Sequence, residues 1–463
     1  MDRVPDDVLR VILDKLWLSE LVRIMRVSSR WHALIMDLPV YWRDISLQLN
    51  GTESRAIELF LIRLRRSSTH RPIRVYFQSY SMAPPPAVVT AIAEHLHHTQ
   101  TLNISVPIPF SAGILAFFTR PAPMLEELAI TLELGREEEA LPTLPLPLFA
   151  CNAPLLRVVS LTDVICPAEG YPCFAQVERA YIAYRTSEPA VAMPNPTAVF
   201  PAARRMRLAA DDFCTDDSIY DPESWRNVEF MQLSGRASWG RLQLGLGAIP
   251  RIAFPRWNPG CVAMALSHIR DRLELQLEIR YYPCVTMLTA HIKGLNGSRM
   301  LDRSFTRPVR DWCETPNPLY WPSRSSDSLT EKWSNSLFKH GPLIDRIVTL
   351  RISGALYVDT LLRLFDPLPV LETLILEDFV RFPRSPPALR CPNLRDLVLV
   401  GSPELCRPTQ EEVDEFIRSC LITGCLPLRL ETRNFTVDSS SSCGVDPSFV
   451  VIGERDDVPG TEK

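Results

Sequence analysis

Glycine is scarce in this chain, at 18 of 463 residues, and no cysteine occurs before Cys151. Low glycine together with 46% hydrophobic residues excludes a flexible, low-complexity polypeptide. The 12 cysteines never fall into C-x-x-C spacing; the closest pair is Cys420 and Cys425. Scattered thiols of this kind are expected to be reduced and mostly buried. Charge of one sign is also missing, with a net charge of −4, so no basic face is expected for nucleic acid. No apolar run approaches the ~18 residues needed to span a membrane. Met1-Asp2-Arg3 leads into no signal-peptide apolar region. The expectation is a cytoplasmic or nuclear chain with no membrane and no nucleic-acid partner. The sequons at Asn103, Asn296 and Asn434 are then chance matches.

Signatures of catalysis are absent too. Gly245-Leu246-Gly247 lacks the third glycine and the lysine of a nucleotide loop. No G-x-S-x-G occurs, and no cysteine and histidine form a recognisable nucleophile pair. His95 and His98 share a helix face in Glu94-His95-Leu96-His97-His98, but no further ligand motif accompanies them. Asp211-Asp212 and Asp216-Asp217 fit no EF-hand loop. No metal, no cofactor and no enzymatic activity are expected, and a binding protein is favoured.

Proline is abundant: 41 of 463 residues, about 9% against a usual ~5%. Stiff turns joining many short ordered elements are the natural reading. The first 45 residues look like such elements. Pro5 suits a first helical turn, and Asp6 and Asp7 complement its positive end. Leu9, Ile12, Leu13 and Leu16 then recur at helical spacing. Ser19 is placed to cap a second helix carrying Leu21, and Ser28 or Ser29 a third carrying Trp31 and Leu34. Leu38-Pro39 ends that helix and Trp42 follows. No heptad is sustained, so three short helices form an orthogonal bundle. Its apolar residues exceed what so small a domain can hide alone.

The order Val4-Pro5, Leu9, Ile12-Leu13, Leu16, Leu21, Val27, Trp31 and Trp42-Arg43-Asp44-Ile45 resembles the F-box motif over about residues 3–47. Val4, Leu13 and Ser28 depart mildly from it, standing where Leu, Phe and Cys are common. The resemblance implies docking to a Skp adaptor and through it to a cullin–RING ubiquitin ligase. By motif position, Pro5, Leu9, Ile12, Leu13, Leu16 and Leu21 would lie near the adaptor. Val27, Trp31, Leu34 and Trp42 would hold the bundle together.

Beyond a linker helix within 48–70, the chain repeats itself. The pattern L-x-x-L-x-L opens at Leu125, Ile347, Leu371 and Leu394, with degenerate copies from Leu156, Val177, Ala203, Val228 and Ile249. The spacing is near the leucine-rich-repeat period of roughly 20–29 residues. The expected fold class is therefore α/β: an N-terminal F-box bundle, 1–47, then an irregular leucine-rich-repeat-like solenoid over 71–437. Stacked strands in such a fold bury one face and share the other. Glu127, Ala129, Val158, Ser160, Arg205, Arg207, Phe230, Gln232, Arg351, Thr373, Ile375, Asp396 and Val398 are expected on the shared face, which is mixed in charge and suits a protein ligand. The regularity fails between about 280 and 340, where two strands and an aromatic-rich loop with Trp312, Tyr320, Trp321 and Trp333 are expected. Residues 438–463 read as a disordered tail, with Phe449 to Ile452 able to pack locally. A short F-box ahead of irregular repeats also resembles the large F-box families of basidiomycete fungi.

Together these resemblances imply the target-recognising subunit of an SCF-type ubiquitin ligase, acting by proximity rather than covalent chemistry. The alternatives are a scaffold whose F-box serves no ubiquitination, and an enzyme built on the 280–340 segment.

Overall fold

The computed structural model describes residues 4–16, 18–51, 54–67, 71–134, 140–167, 170–185, 194–210, 222–234, 246–255, 265–269, 272–282, 285–296, 299–309, 341–353, 365, 367–377, 388–401, 409–424, 428–433 and 449–452. The chain divides into two compact units, Met1–Glu229 and Phe230–Lys463. The fold is mixed α/β, with a helical N-terminal region and extensive, mostly parallel strand pairing.

The first unit opens with α1 (Asp6–Leu13), α2 (Leu18–Ile24), α3 (Ser29–Asp37) and α4 (Pro39–Arg43). Helix α2 starts one residue ahead of Ser19, which therefore lies inside it rather than capping it. Ser28 does cap α3, its hydroxyl accepting from the Trp31 N–H at 3.2 Å. Pro39 fits the first turn of α4, where a missing N–H costs nothing. Strand β1 (Asp44–Leu49) follows α4 directly. It pairs in parallel with β2 (Ile73–Ser79) over six residues, from Asp44↔Arg74 to Leu49↔Ser79. Strand pairing thus begins inside the segment expected to be purely helical. The intervening α5 (Ser54–Arg66), expected as a linker helix, buries Phe60, Arg63 and Leu64.

The unit continues through α6 (Pro86–His95), β3 (Thr99–Pro107), α7 (Ser111–Phe117), β4 (Glu127–Glu133), β5 (Val158–Thr162), β6 (Arg179–Tyr184), α8 (Pro196–Val199) and β7 (Arg205–Ala210). Strands β1 to β7 pair in sequence order, all parallel. Alternation along each strand sets one face inward. Ile45, Val75, Leu102, Leu128, Val159, Ala180 and Met206 form one buried row across the sheet. Leu47, Phe77, Ile104, Ile130, Leu161, Ile182 and Leu208 form the next.

A recurring turn prepares each strand. The Leu125 N–H donates to the Ala122 carbonyl, Leu156 to Ala153, Val177 to Phe174, Ala203 to Phe200 and Val228 to Trp225. The turn residue is fully buried each time, while the next residue donates to the preceding strand's approach, as Glu178 does to Arg157. One local geometry therefore drops an apolar anchor into the core and sets strand register.

In the second unit, β8 (Phe230–Ser234) pairs in parallel with β9 (Arg251–Phe254). A three-stranded antiparallel meander follows: β10 (Leu273–Tyr282), β11 (Val285–Asn296) and β12 (Arg299–Val309). Its outer strands join parallel neighbours, β12 beside β9 and β10 beside β13 (Ile347–Ser353). Short helix α9 (Gly341–Ile344) precedes β13. Parallel pairing then runs through β14 (Thr373–Glu377) and β16 (Asp396–Val400) to β18 (Leu428–Arg433) and β19 (Phe449–Ile452). Strands β15 (Leu389–Arg390) and β17 (Leu421–Ile422) form a small separate pair beside α10 (Gln410–Cys420). Sequence expectation found two strands in the 280–340 region; the meander's third strand, β12, reaches into it as well. Trp312, Tyr320, Trp321 and Trp333 lie outside the described residues. Phe449 to Ile452, in the expected tail, form a strand.

Candidate docking surfaces

The N-terminal helices and the outward face of the strands each present side chains that a partner could reach. Leu9, Leu13, Leu21, Leu34, Ile35, Leu38, Val40 and Tyr41 make the helical core, with Leu16, Trp31 and Trp42 packed partly buried against it. The Trp42 indole N–H donates to the Met36 carbonyl at 2.7 Å. Ion pairs hold α1 against α3, Arg10 to Asp37 at 2.8 Å and Arg30 to Asp6 at 2.6 Å. Arg30 also donates to the Val4 carbonyl.

The core uses one stripe of α1, and a neighbouring stripe stays apolar and open. Val8 is 48% exposed, Val11 65% and Ile12 50%, at i, i+3 and i+4 spacing. Val27 is 64% exposed. Burial thus divides the motif residues differently from the expectation. Of the six assigned to the adaptor, Ile12 and Pro5 are exposed, Leu16 is half-buried, and Leu9, Leu13 and Leu21 are buried in the bundle's own core. Of the four assigned to the core, Leu34 is buried, both tryptophans are half-buried, and Val27 is open. Val8 and Val11, which the sequence did not single out, share this exposed stripe. They carry no motif letter, and only helical phase relative to Leu9 and Leu13 marks them.

A family model described as F-box-like matches residues 1–48. Those residues carry an F-box-like domain. No curated protein matches the chain. The matched segment ends within β1, so the F-box-like domain and the first strand overlap in sequence.

The helical bundle of the F-box-like domain is tied to β1 by Arg63 of α5. Its guanidinium is 2% exposed and donates to the carbonyls of Tyr41 and, at 2.8 Å, Asp44. Its carbon centre lies 5.1 Å from the Tyr41 ring centroid. Burial lowers its pKa to about 10, with Tyr41 and Asp44 opposing the shift. The group therefore stays charged at neutral pH, solvated by carbonyls instead of water.

On the strands, most of the expected face residues are at least partly exposed, but Val398 is buried. Glu127, Arg205 and Arg207 are exposed, and Ala129 is half-exposed, in the first unit. Gln232, Arg351, Thr373, Ile375 and Asp396 are half-exposed in the second. Register sets Thr373 beside Asp396 and Arg351 beside Ile375. Arg351 meets Glu377 at 3.4 Å and Arg429 meets Asp396 at 3.9 Å, so charges on that unit are matched locally. In the first unit, register adds Arg179, which sequence reasoning missed, beside Arg205. Among the described residues no group of three or more His, Cys, Asp or Glu is placed to hold a metal ion. No described helix is long and apolar enough to cross a membrane. Cys166, Cys173 and Cys391 are buried thiols pushed up to about 12 by burial, unsuited to nucleophilic work at neutral pH, whereas Cys151 is exposed.

Proposed function

We propose that the chain recognises a target protein for an SCF-type ubiquitin ligase. The F-box-like domain docks a Skp adaptor, which leads to a cullin–RING assembly, and the sheet face holds the target. The match over residues 1–48, on a domain that leaves Val8, Val11 and Ile12 open, carries this reading. F-box domains typically bind Skp adaptors, and an exposed apolar stripe on an otherwise packed bundle is the kind of surface such a partner covers. The recurrence of a buried anchor before each parallel strand supports reading the sheet as an irregular leucine-rich-repeat solenoid. On this reading the chain is a non-catalytic adaptor of the cytoplasm or nucleus, and it works by proximity.

The test is co-purification with a Skp adaptor. Val8→Asp with Ile12→Asp buries two charges in the interface while leaving the bundle core intact. Binding should fall at least 100-fold with helix content unchanged. Absence of binding by the unaltered chain at micromolar adaptor would sink the reading.

A further inference from the structure

The outward face of the first unit carries charges in three successive rows, and they are not balanced alike. The row just ahead of the strands alternates in sign: Glu126, Arg157, Glu178, Arg204 and Glu229 succeed one another along the backbone hydrogen bonds that join neighbouring strand approaches. Arg157 meets Glu178 at 3.9 Å and Arg204 meets Glu229 at 3.8 Å. The next row runs Asp44, Arg74, Thr101, Glu127, Val158, Arg179, Arg205. At its start Arg74 lies 3.9 Å from Asp44. At its end Arg179 and Arg205 stand directly side by side in register. The third row ends with Tyr181 beside Arg207. All three arginines are exposed. Among the described residues none of them meets a carboxylate within ion-pair distance.

Neighbouring strands lie about 4.8 Å apart and alternate residues about 6.7 Å apart. The three arginines therefore spring from backbone positions within about 8 Å of one another. Like charges set side by side on neighbouring strands are destabilising. Elsewhere in this unit Arg74 lies beside Asp44, and Arg157 and Arg204 of the preceding row are paired with carboxylates. Val158 stands beside Arg179, and Ser160 and Ala129 follow in the Tyr181 row.

We propose that Arg179, Arg205 and Arg207 bind an acidic peptide segment of a partner protein, with Tyr181 packing against its backbone. This deepens the target-holding role assigned above to the sheet face, and it does not depend on adaptor docking. Planar guanidiniums bind carboxylates through paired hydrogen bonds, and closely spaced ones select a cluster of carboxylates over a single one. A short carboxylate cluster can stay on the arginines, whereas a nucleic-acid backbone extends past them toward the exposed Glu127 and Glu178.

Fluorescence anisotropy on the full chain tests this with three labelled probes: a twelve-residue Asp/Glu-rich peptide, its Asn/Gln counterpart, and a dT12 oligonucleotide. The acidic peptide should bind at micromolar concentration, at least tenfold tighter than either other probe, and weaken as salt rises from 50 to 300 mM. The R179Q/R205Q/R207Q variant should lose at least tenfold in affinity, while Arg204→Gln, whose arginine is already paired, changes it less than twofold. Adaptor co-purification on the same variants should be unaffected, which separates this proposal from the docking reading. No preference for the acidic over the neutral peptide, or equal binding of dT12, overturns the proposal from the unaltered chain alone. Undiminished binding by the triple variant overturns it as well.

Discussion

Three histidines form one hydrogen-bonded chain. His97 Nδ1 donates to the Glu94 carbonyl at 2.9 Å. His98 Nδ1 lies 3.1 Å from His97 Nε2, and His98 Nε2 lies 3.3 Å from His95 Nδ1. A neutral His98 ring bridges the two by donating through one nitrogen and accepting through the other. His98 is fully buried. Burial lowers its pKa to about 4, helped by His97 and His95, and burial lowers that of His95 as well, with His97 adding and Glu94 opposing. The unfolded rings titrate near 6.5. Between about pH 6.5 and 4 the unfolded chain takes up protons that the folded chain refuses. The stabilising contribution is thus complete above about pH 6.5 and is lost as pH falls toward 4. The loss is on the order of 1–3 kcal/mol. Urea unfolding at pH 7.5 and 5.0 should show it, and His98→Gln should be less stable at pH 7.5 yet lose less on acidification. Equal losses in both proteins would refute the assignment.

At the scale of elements, the repeated turn before each strand makes a quantitative demand. Leu128 sits in the middle of a buried row between Leu102 and Val159 and is fully buried. Leu128→Ala should cost about 2–5 kcal/mol, whereas Ala129→Ser, one residue on and facing outward, should cost under ~0.5. Thermal unfolding of both variants checks this; similar destabilisation would mean the faces are misassigned. This alternation is why much of the fold was legible. The copies opening at Leu125, Leu156, Val177, Ala203, Val228, Ile249, Ile347, Leu371 and Leu394 all lead into strands. Strands β1, β2 and β3 were less legible, because no L-x-x-L-x-L marks them. Ile45, Leu47 and Leu49 alternate well, but their segment reads as the tail of the helical module. On the F-box-like domain, helical spacing located the apolar residues of α1 without saying which stripe faces inward. That choice depends on where α3 packs, and Arg10 to Asp37 and Arg30 to Asp6 reveal it only in three dimensions. Arg179 holds the same position in the Val177 copy as Arg205 in the Ala203 copy, but only register makes the two neighbours.

At the largest scale, the F-box-like domain is no tethered bead. Helix α4 ends at Arg43 and β1 begins at Asp44, so no residue is left to act as a hinge. Arg63 then bridges the join, because its two carbonyl acceptors, Tyr41 and Asp44, belong to the helical bundle and to the first strand. The domain and strands β1–β7 fall in one compact unit. On the proposed reading, a rigid join would let the adaptor on one surface fix the position of a ligand on the other, as action by proximity requires. The prediction is shared stability. Arg63→Met keeps most of the length of the side chain but orphans two buried carbonyls, each costing about 1–3 kcal/mol. Hydrogen exchange should show the amides of α3 and of β1–β2 losing protection together, by the same free energy, as members of one cooperative unit. If only the α3 amides respond while β1–β2 keep theirs, the two parts open independently and the rigid join is wrong.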